Sequence, residues 1–405
     1  MPQPETILTQ QAPPIVLNPV RIESIDVLRA ATMILMIFVN DLWSLTNIPA
    51  WLEHVPRDVD GMGLADSVFP AFLFIVGMSL PFAINARRKK GDTDVTLVGH
   101  IIGRSIALLT MGVFLVNGES INEAATGMQR GVWNMLSCLS FILIWNAYPK
   151  NAVKWIVYVS KGLGISVLFI LAFVYRGEEE PRFATHWWGI LGLIGWSYLA
   201  AALVTVFARN RIPVLAAAWV GFALLSMADH AALLPKVVHV IPGAISGGTM
   251  VGLTMGGVVI STLFQLYRKR DHNKQMTLVF LAIVVVLVGL SIYTRQFWGL
   301  SKLGATPAWL FLCSAITILA FLGIYWLTDV GGKANWFTLI KPAGTDTLLC
   351  YLIPYFAYGL MTLLHLHLPE AILIGAIGLL KSFLFAIMCA WITGRLNWVG
   401  VKLKL

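Results

Sequence analysis

The chain has 405 residues, of which 58% are hydrophobic and only 12% charged, with a net charge of +9. A soluble domain carries about a quarter charged residues, so this balance excludes an ordinary soluble globule and indicates an integral membrane protein. The apolar runs are continuous, which argues against the alternating pattern of a membrane β-barrel, and the positive charge is not read as a nucleic-acid footprint.

Residues 1–20 are polar and proline-rich and lack the charged-then-apolar pattern of a cleaved signal. They are expected to form a mobile cytoplasmic tail. Twelve apolar segments follow, each long enough or nearly so to span a bilayer. They run over roughly 27–45, 65–86, 98–117, 131–149, 153–175, 187–208, 213–230, 246–267, 276–294, 307–328, 345–366 and 371–393. The fold class is therefore all-α, a polytopic integral membrane helical bundle of about 10–12 transmembrane helices. Segment 153–175 carries Lys161, and 213–230 is short. Segment 246–267 carries Gly248, Gly252 and Gly256 on one helix face, which favours close packing. Packing within the bundle is the plainer use of that face, and a homodimer contact the sharper one.

Basic residues sort the loops. With the N-terminus inside, the inside loops hold Arg87-Arg88-Lys89-Lys90, Lys150 and Lys154, Arg209 and Arg211, Arg268-Lys269-Arg270, Lys333 and Lys341, and Lys402 and Lys404. The outside loops are poorer in lysine and arginine and hold Glu178-Glu179-Glu180. The positive-inside rule then puts both termini in the cytoplasm, in the inner (plasma) membrane of the cell. Cys138, Cys313, Cys350 and Cys389 all lie in apolar segments without a C-x-x-C pair, and read as packing residues.

The residues with chemical potential gather at one expected membrane face. His54 follows the first segment, which ends with Asn40 and Asp41, and precedes the second, which opens with Asp66. Ionisable groups at a membrane boundary are costly unless they face protein or a water-filled cavity. Histidine also titrates in the range useful for proton transfer. The plainer readings are an interfacial histidine bound to a loop carbonyl, Asp66 as a helix N-cap, Asn40 as a C-terminal cap, and Asp41 as a solvated neighbour. Asp26 and Arg29 stand three apart on the first segment and can pair on one face. Alternatively, Arg29 meets a phosphate while Asp26 orients it. Arg104 lies one turn inside the third segment, and its fork suits pyrophosphate. Lys381 sits in the middle of the last segment with no nameable partner, and His230 has no assigned role. His365 and His367 are too few ligands for a metal site, and no metal is expected. Neither a Walker loop nor a G-x-G-x-x-G motif is present.

An ordered set of motifs gives a further lead. It begins with Ser24-Ile25-Asp26-Val27-Leu28-Arg29, then Met36-Ile37-Phe38-Val39-Asn40, with His54 fourteen residues beyond the asparagine. Leu64-Ala65-Asp66-Ser67-Val68-Phe69-Pro70 follows, then Arg104-Ser105, Val116-Asn117, and Ser301-Lys302 with Ala305-Thr306-Pro307-Ala308-Trp309. Together these resemble the heparan-α-glucosaminide N-acetyltransferase family and its bacterial relatives of unassigned substrate. The likeness runs from about residue 21 onward and is strongest over 21–120. It implies one transmembrane acyltransferase-like domain over 21–405. It also implies transfer of an acetyl group from cytoplasmic acetyl-CoA to an amine or hydroxyl of a glucosamine-like glycan on the other side. The family's active-site histidine falls on His54, its asparagine on Asn40 and its motif aspartate on Asp66.

The residue chemistry is compatible with this. His54 can deprotonate an acceptor amine or itself be acetylated, Asn40 can donate to an oxyanion, and Asp66 can hold the imidazole tautomer. Direct transfer and an acetyl-histidine intermediate both stay open. Arg29, Asp26 and Arg104 are the expected acetyl-CoA contacts. Lys302 and Trp309, placed outside, either help bind the acceptor or anchor the interface. Three departures are noted. Asn134-Met135 stands where the family has a Gln-Arg pair, a family histidine is replaced by apolar residues around Ile353-Pro354, and the stretch Pro56–Gly63 replaces a shorter tryptophan-containing link. Segments 153–230 match poorly and are read as containing an extra helix pair. The alternative function is a proton-coupled transporter or exporter of a small polar substrate, with His54 and Asp66 as its relay, although no internal repeat supports it. A non-catalytic scaffold is the third reading.

Overall fold

The computed structural model describes residues 22–178, 181–268, 270 and 272–405. The expected tail (1–20), together with Glu179, Glu180 and Lys269, lies outside the described residues. Twelve long helices carry the fold. They are α1 (Glu23–Asp41), α2 (Leu64–Lys89), α3 (Asp94–Glu119), α4 (Arg130–Trp145), α5 (Lys154–Val174) and α6 (Ile190–Ala208). Then come α7 (Ile212–His230), α8 (Thr249–Arg268), α9 (Asn273–Trp298), α10 (Pro307–Tyr325), α11 (Thr347–Leu363) and α12 (Gly375–Trp398). Each of the twelve expected segments falls on one of them. Among the described residues, nine are long and apolar enough to cross a membrane; α4 and α11 are shorter apolar helices. The first of the twelve, α1, carries Glu23, Asp26 and Arg29 near its start.

This is a multi-pass helical membrane protein. Its outer face is apolar: α5 exposes Tyr158, Phe169 and Phe173, α9 exposes Val285 and Ile292, and α12 exposes Ile377 and Leu384. Such a surface is stable against lipid and not against water.

The helices run alternately up and down, as loop contacts demonstrate. At one end Thr46 pairs with Ile374, Gly61 N–H donates to Leu300 O, and Ile121 pairs with Gly177. At the other end Arg88 donates to Val206 O, Tyr325 to Asn273, and Lys402 N–H to Asn146. The loops grouped as outside by their poverty in basic residues meet at the first end, and the basic loops meet at the second.

Close backbone approach fixes the centre of the bundle. A Cβ on Gly77 of α2 would lie 1.8 Å from Thr254 O, and one on Gly257 of α8 would lie 1.9 Å from Phe74 O. The Gly248/252/256 face is used within the chain, against Phe222, Leu310 and Phe74 respectively. The four cysteines are buried and free, as expected of packing residues. The helix on segment 187–208 begins only at Ile190, so Trp187 and Trp188 precede α6, and Trp187 packs edge-on against Trp196.

Candidate active site

The connection from α1 to α2 contains two short 3₁₀ turns, Leu42–Ser44 and Ala50–Leu52, and then returns along the start of α2. Gly63 immediately precedes α2. A Cβ there would lie 1.9 Å from Glu53 O, so only glycine lets the segment bearing His54 lie against the helix start. Asp66, in the first turn, is 1% exposed. Its Oδ2 accepts N–H bonds from Val55 and Gly63, both at 3.1 Å. Its Oδ1 lies 2.6 Å from His54 Nδ1. Asp66 is therefore not the N-cap residue, which is Gly63. It reaches back from three residues inside the helix, satisfies the loop backbone and binds the imidazole at once.

This geometry has a chemical consequence. An ionised carboxylate only accepts, so the Nδ1 hydrogen belongs between His54 and Asp66, and in the neutral imidazole the lone pair is then on Nε2. The His54 side chain is 44% exposed, so that lone pair is reachable.

Lys302 completes the group. Its Nζ lies 3.2 Å from Nδ1 and 3.4 Å from Nε2 of His54. The loop after α9 holds it there through Asp60, which accepts from Arg295 and from Leu300 N–H. Burial pushes the Lys302 ammonium below its ordinary value, against an opposing pull from Asp66. Trp309 is fully buried and donates to Asp66 O at 2.9 Å. It is thus neither an acceptor contact nor an interface anchor. Its indole ties α10 to the helix turn that carries Asp66.

Asn40 is placed differently. Helix α1 continues through it to Asp41, with Leu42 as the C-cap residue, so Asn40 is not a cap. It is exposed, and no hydrogen bond joins it to His54 or Asp66 among the described residues. It lines a cavity of about 470 Å³ with Trp43, Glu119, Arg130, Tyr358 and Thr362, at the same end of the bundle as His54. A Gln-Arg pair is in fact present, earlier than Asn134-Met135: Gln129 caps α4, and Arg130 is its first residue.

Asp41 is not a solvated neighbour. It is 2% exposed and accepts from Tyr358, Lys381 and Ser382. Lys381, whose partner was not legible, therefore pairs with Asp41. His230 faces two carbonyl oxygens, Ser226 O and Gly304 O, and so ties α7 to the loop bearing Lys302.

The opposite end holds a second cavity of about 580 Å³. Arg29, Arg87, His100, Arg104 and Lys404 line it, together with Asp346. Arg29 pairs with Asp26 at 3.2 Å and donates to Gly344 O, so the expected ion pair forms while the guanidinium also borders the cavity. Arg104 lies over the Tyr198 ring, 4.7 Å from its centroid. A cluster of guanidinium groups in a cleft suits an anionic phosphate ligand. Tyr351 lines both cavities.

Fold and site together define a multi-pass membrane protein with an exposed imidazole paired to a buried carboxylate at one end and a basic cavity at the other. Comparison with known proteins adds the family likeness. Residues 21–122 match the family model for heparan-α-glucosaminide N-acetyltransferase, catalytic. The chain is 33% identical over 103 residues to heparan-α-glucosaminide N-acetyltransferase of Homo sapiens, an alignment covering 24% of this chain and 14% of that protein. It is 32% identical over 101 residues to the Mus musculus protein, with the same shares. The chain thus resembles this acetyltransferase family over the segment that contains Asp26, Arg29, Asn40, His54, Asp66 and Arg104. The Ser301–Trp309 stretch lies beyond the matched segment and joins the site only through the fold.

Proposed function

We propose that this protein is a membrane-embedded acyltransferase. It moves an acetyl group from cytoplasmic acetyl-CoA to an amine or hydroxyl of a glucosamine-like glycan on the other side of the membrane. The carrying observation is the pairing of His54 Nδ1 with Asp66 Oδ1 at 2.6 Å, which leaves Nε2, with Lys302 Nζ 3.4 Å away, as the nitrogen to take a proton. The distribution of basic loops supports cytoplasmic termini, and an inner (plasma) membrane location is part of the same proposal.

Acetyl-CoA supplies a thioester carbonyl that is open to attack. The basic cavity fits its phosphates: Arg104 and Arg29 would hold them, with Asp26 steadying Arg29. At the far end His54 takes the proton of the acceptor amine as its nitrogen attacks the acyl carbon. The C–N bond forms, the C–S bond breaks, and the proton passes to the departing sulfur. Asp66 steadies the imidazolium through Nδ1–H. Lys302, beside the imidazole, would donate to the oxyanion, and Asn40 is proposed as a second donor on the family likeness.

The test uses purified protein in nanodiscs. CoA release from acetyl-CoA is followed with and without glucosamine, in wild type and in His54→Ala. The expected outcome is glucosamine-stimulated release in wild type, reduced roughly 10²–10⁴-fold in the variant, with CoA binding and melting temperature retained. Folded wild type that neither binds nor cleaves acetyl-CoA would sink the reading and direct attention to proton-coupled transport.

A further inference from the structure

Asp41 closes α1, and three donors from two other helices converge on it. Tyr358 of α11 donates to Oδ1 at 2.6 Å. Lys381 and Ser382 of α12 donate to Oδ2 at 2.7 and 2.6 Å. Buried charges are retained when they are paired and hydrogen-bonded in this way. The cluster makes no bond to His54 among the described residues, so the acyl-transfer chemistry leaves it unused.

Tyr358 connects it to the cavity beside Asn40, which its ring lines. A phenol has one hydrogen, and Asp41 takes it. The oxygen of Tyr358 therefore meets the cavity only as an acceptor. Thr362, one turn further on, is in the same state, because its hydroxyl donates to Tyr358 O at 3.0 Å. In the same wall Asn134 Oδ1 is buried and has no partner among the described residues, and Glu119 adds a carboxylate. The wall thus offers several acceptors, with Tyr358 and Thr362 held by the bonds they donate, beside the donors Asn40 and Arg130, and it suits a ligand with several N–H and O–H groups.

We propose that Asp41 and Lys381 are positioning residues for acceptor selectivity: by taking the phenol hydrogen they hold Tyr358 as an acceptor for an N–H or O–H of the acceptor substrate. This rests on the acyltransferase reading above. The bond it predicts lies between Tyr358 Oη and a donor group of the incoming amine or polyol. Lys381 contributes by pairing with Asp41, and its second bond, to Ser44 at 3.2 Å, steadies the turn that follows Asn40.

The experiment compares wild type, Tyr358→Phe, and the charge-balanced double variant Asp41→Leu/Lys381→Met, which removes the acceptor of the phenol hydrogen. All are assayed in nanodiscs with acetyl-CoA as donor and glucosamine as the acceptor probe. Tyr358→Phe keeps Asp41, Lys381 and Ser382 together, so it is expected to fold. Its KM for glucosamine should rise about five- to tenfold, with KM for acetyl-CoA unchanged. The double variant frees the phenol hydrogen and should move the glucosamine KM in the same direction. A purely structural cluster would instead lower the melting temperature and leave the two KM values equally affected or equally untouched. An unchanged glucosamine KM in Tyr358→Phe overturns this inference and leaves the transferase reading standing. Wild type that binds acetyl-CoA and never acetylates the probe overturns the acceptor assignment, a separate and recognisable failure.

Discussion

Lys302 lies 3.2 Å from Nδ1 and 3.4 Å from Nε2 of His54, across 248 positions of sequence. A cation there repels imidazolium and attracts a developing oxyanion, so its charge should matter for turnover. Burial lowers its pKa below the ordinary 10.5. As pH rises it therefore loses its proton earlier than a solvated lysine does. The expected pH profile has an alkaline limb that begins below 10.5, and Lys302→Met should remove that limb while lowering kcat at neutral pH. A limb that persists in the variant would assign it to another group.

Asp66 does two things that substitution can separate. Asp66→Asn keeps an oxygen for the backbone N–H groups of Val55 and Gly63 but no longer stabilises imidazolium. Turnover should fall roughly 10²–10⁴-fold with little change in melting temperature. Asp66→Ala loses both functions and should also cost about 1–3 kcal/mol of stability, because it strands buried donors. Denaturation curves read beside CoA release distinguish the two.

Arg104 is exposed, borders the basic cavity and stacks over Tyr198. Arg104→Ala should raise KM for acetyl-CoA roughly tenfold or more, as loss of a charge-assisted contact does. Glucosamine KM should stay put, and stability should shift by less than about 1 kcal/mol. Isothermal titration with CoA provides an activity-independent check.

Asp346 is 7% exposed, and burial pushes its carboxyl from 3.8 up to about 6. Between those values the folded state holds more protons than the unfolded chain, so stability falls as pH rises and the full penalty is present above 6. Asp346→Asn can still accept from Leu403 N–H and escapes that penalty. It should raise the melting temperature at pH about 8 and change it little at pH about 4, with a gain of at most about 3 kcal/mol, less solvent screening. An equal shift at both pH values would count against a buried, titrating Asp346.

What was legible in the sequence was local or ordered. Hydrophobic runs located all twelve helices, because length and apolarity are properties of single segments. The loop charges sorted the connections into the two ends that the contacts confirm. His54 and Asp66 stand twelve apart around one helix start, so their meeting could be anticipated. Lys302 could not be placed on His54, since nothing local fixes how the loop after α9 lies on the loop after α1. Asp41 was misread for the same reason: its partners Tyr358 and Lys381 arrive from α11 and α12, and a polar residue at a helix end looks solvated until a neighbour covers it. Trp309 resembled an interfacial anchor because a tryptophan near a helix start commonly is one. Its burial depends on the backbone carbonyl of Asp66, which no side-chain pattern advertises.

Tyr351 is the one described residue common to the linings of both cavities. Chemistry carried across a bilayer must pass a small group without opening a path for ions, or the cell's electrochemical gradient drains through the catalyst. The phenol ring borders both hollows, with its hydroxyl 3.1 Å from that of Tyr355. Under the proposed transfer, trimming it to a small side chain is expected to thin the partition between the two hollows and raise ion leakage.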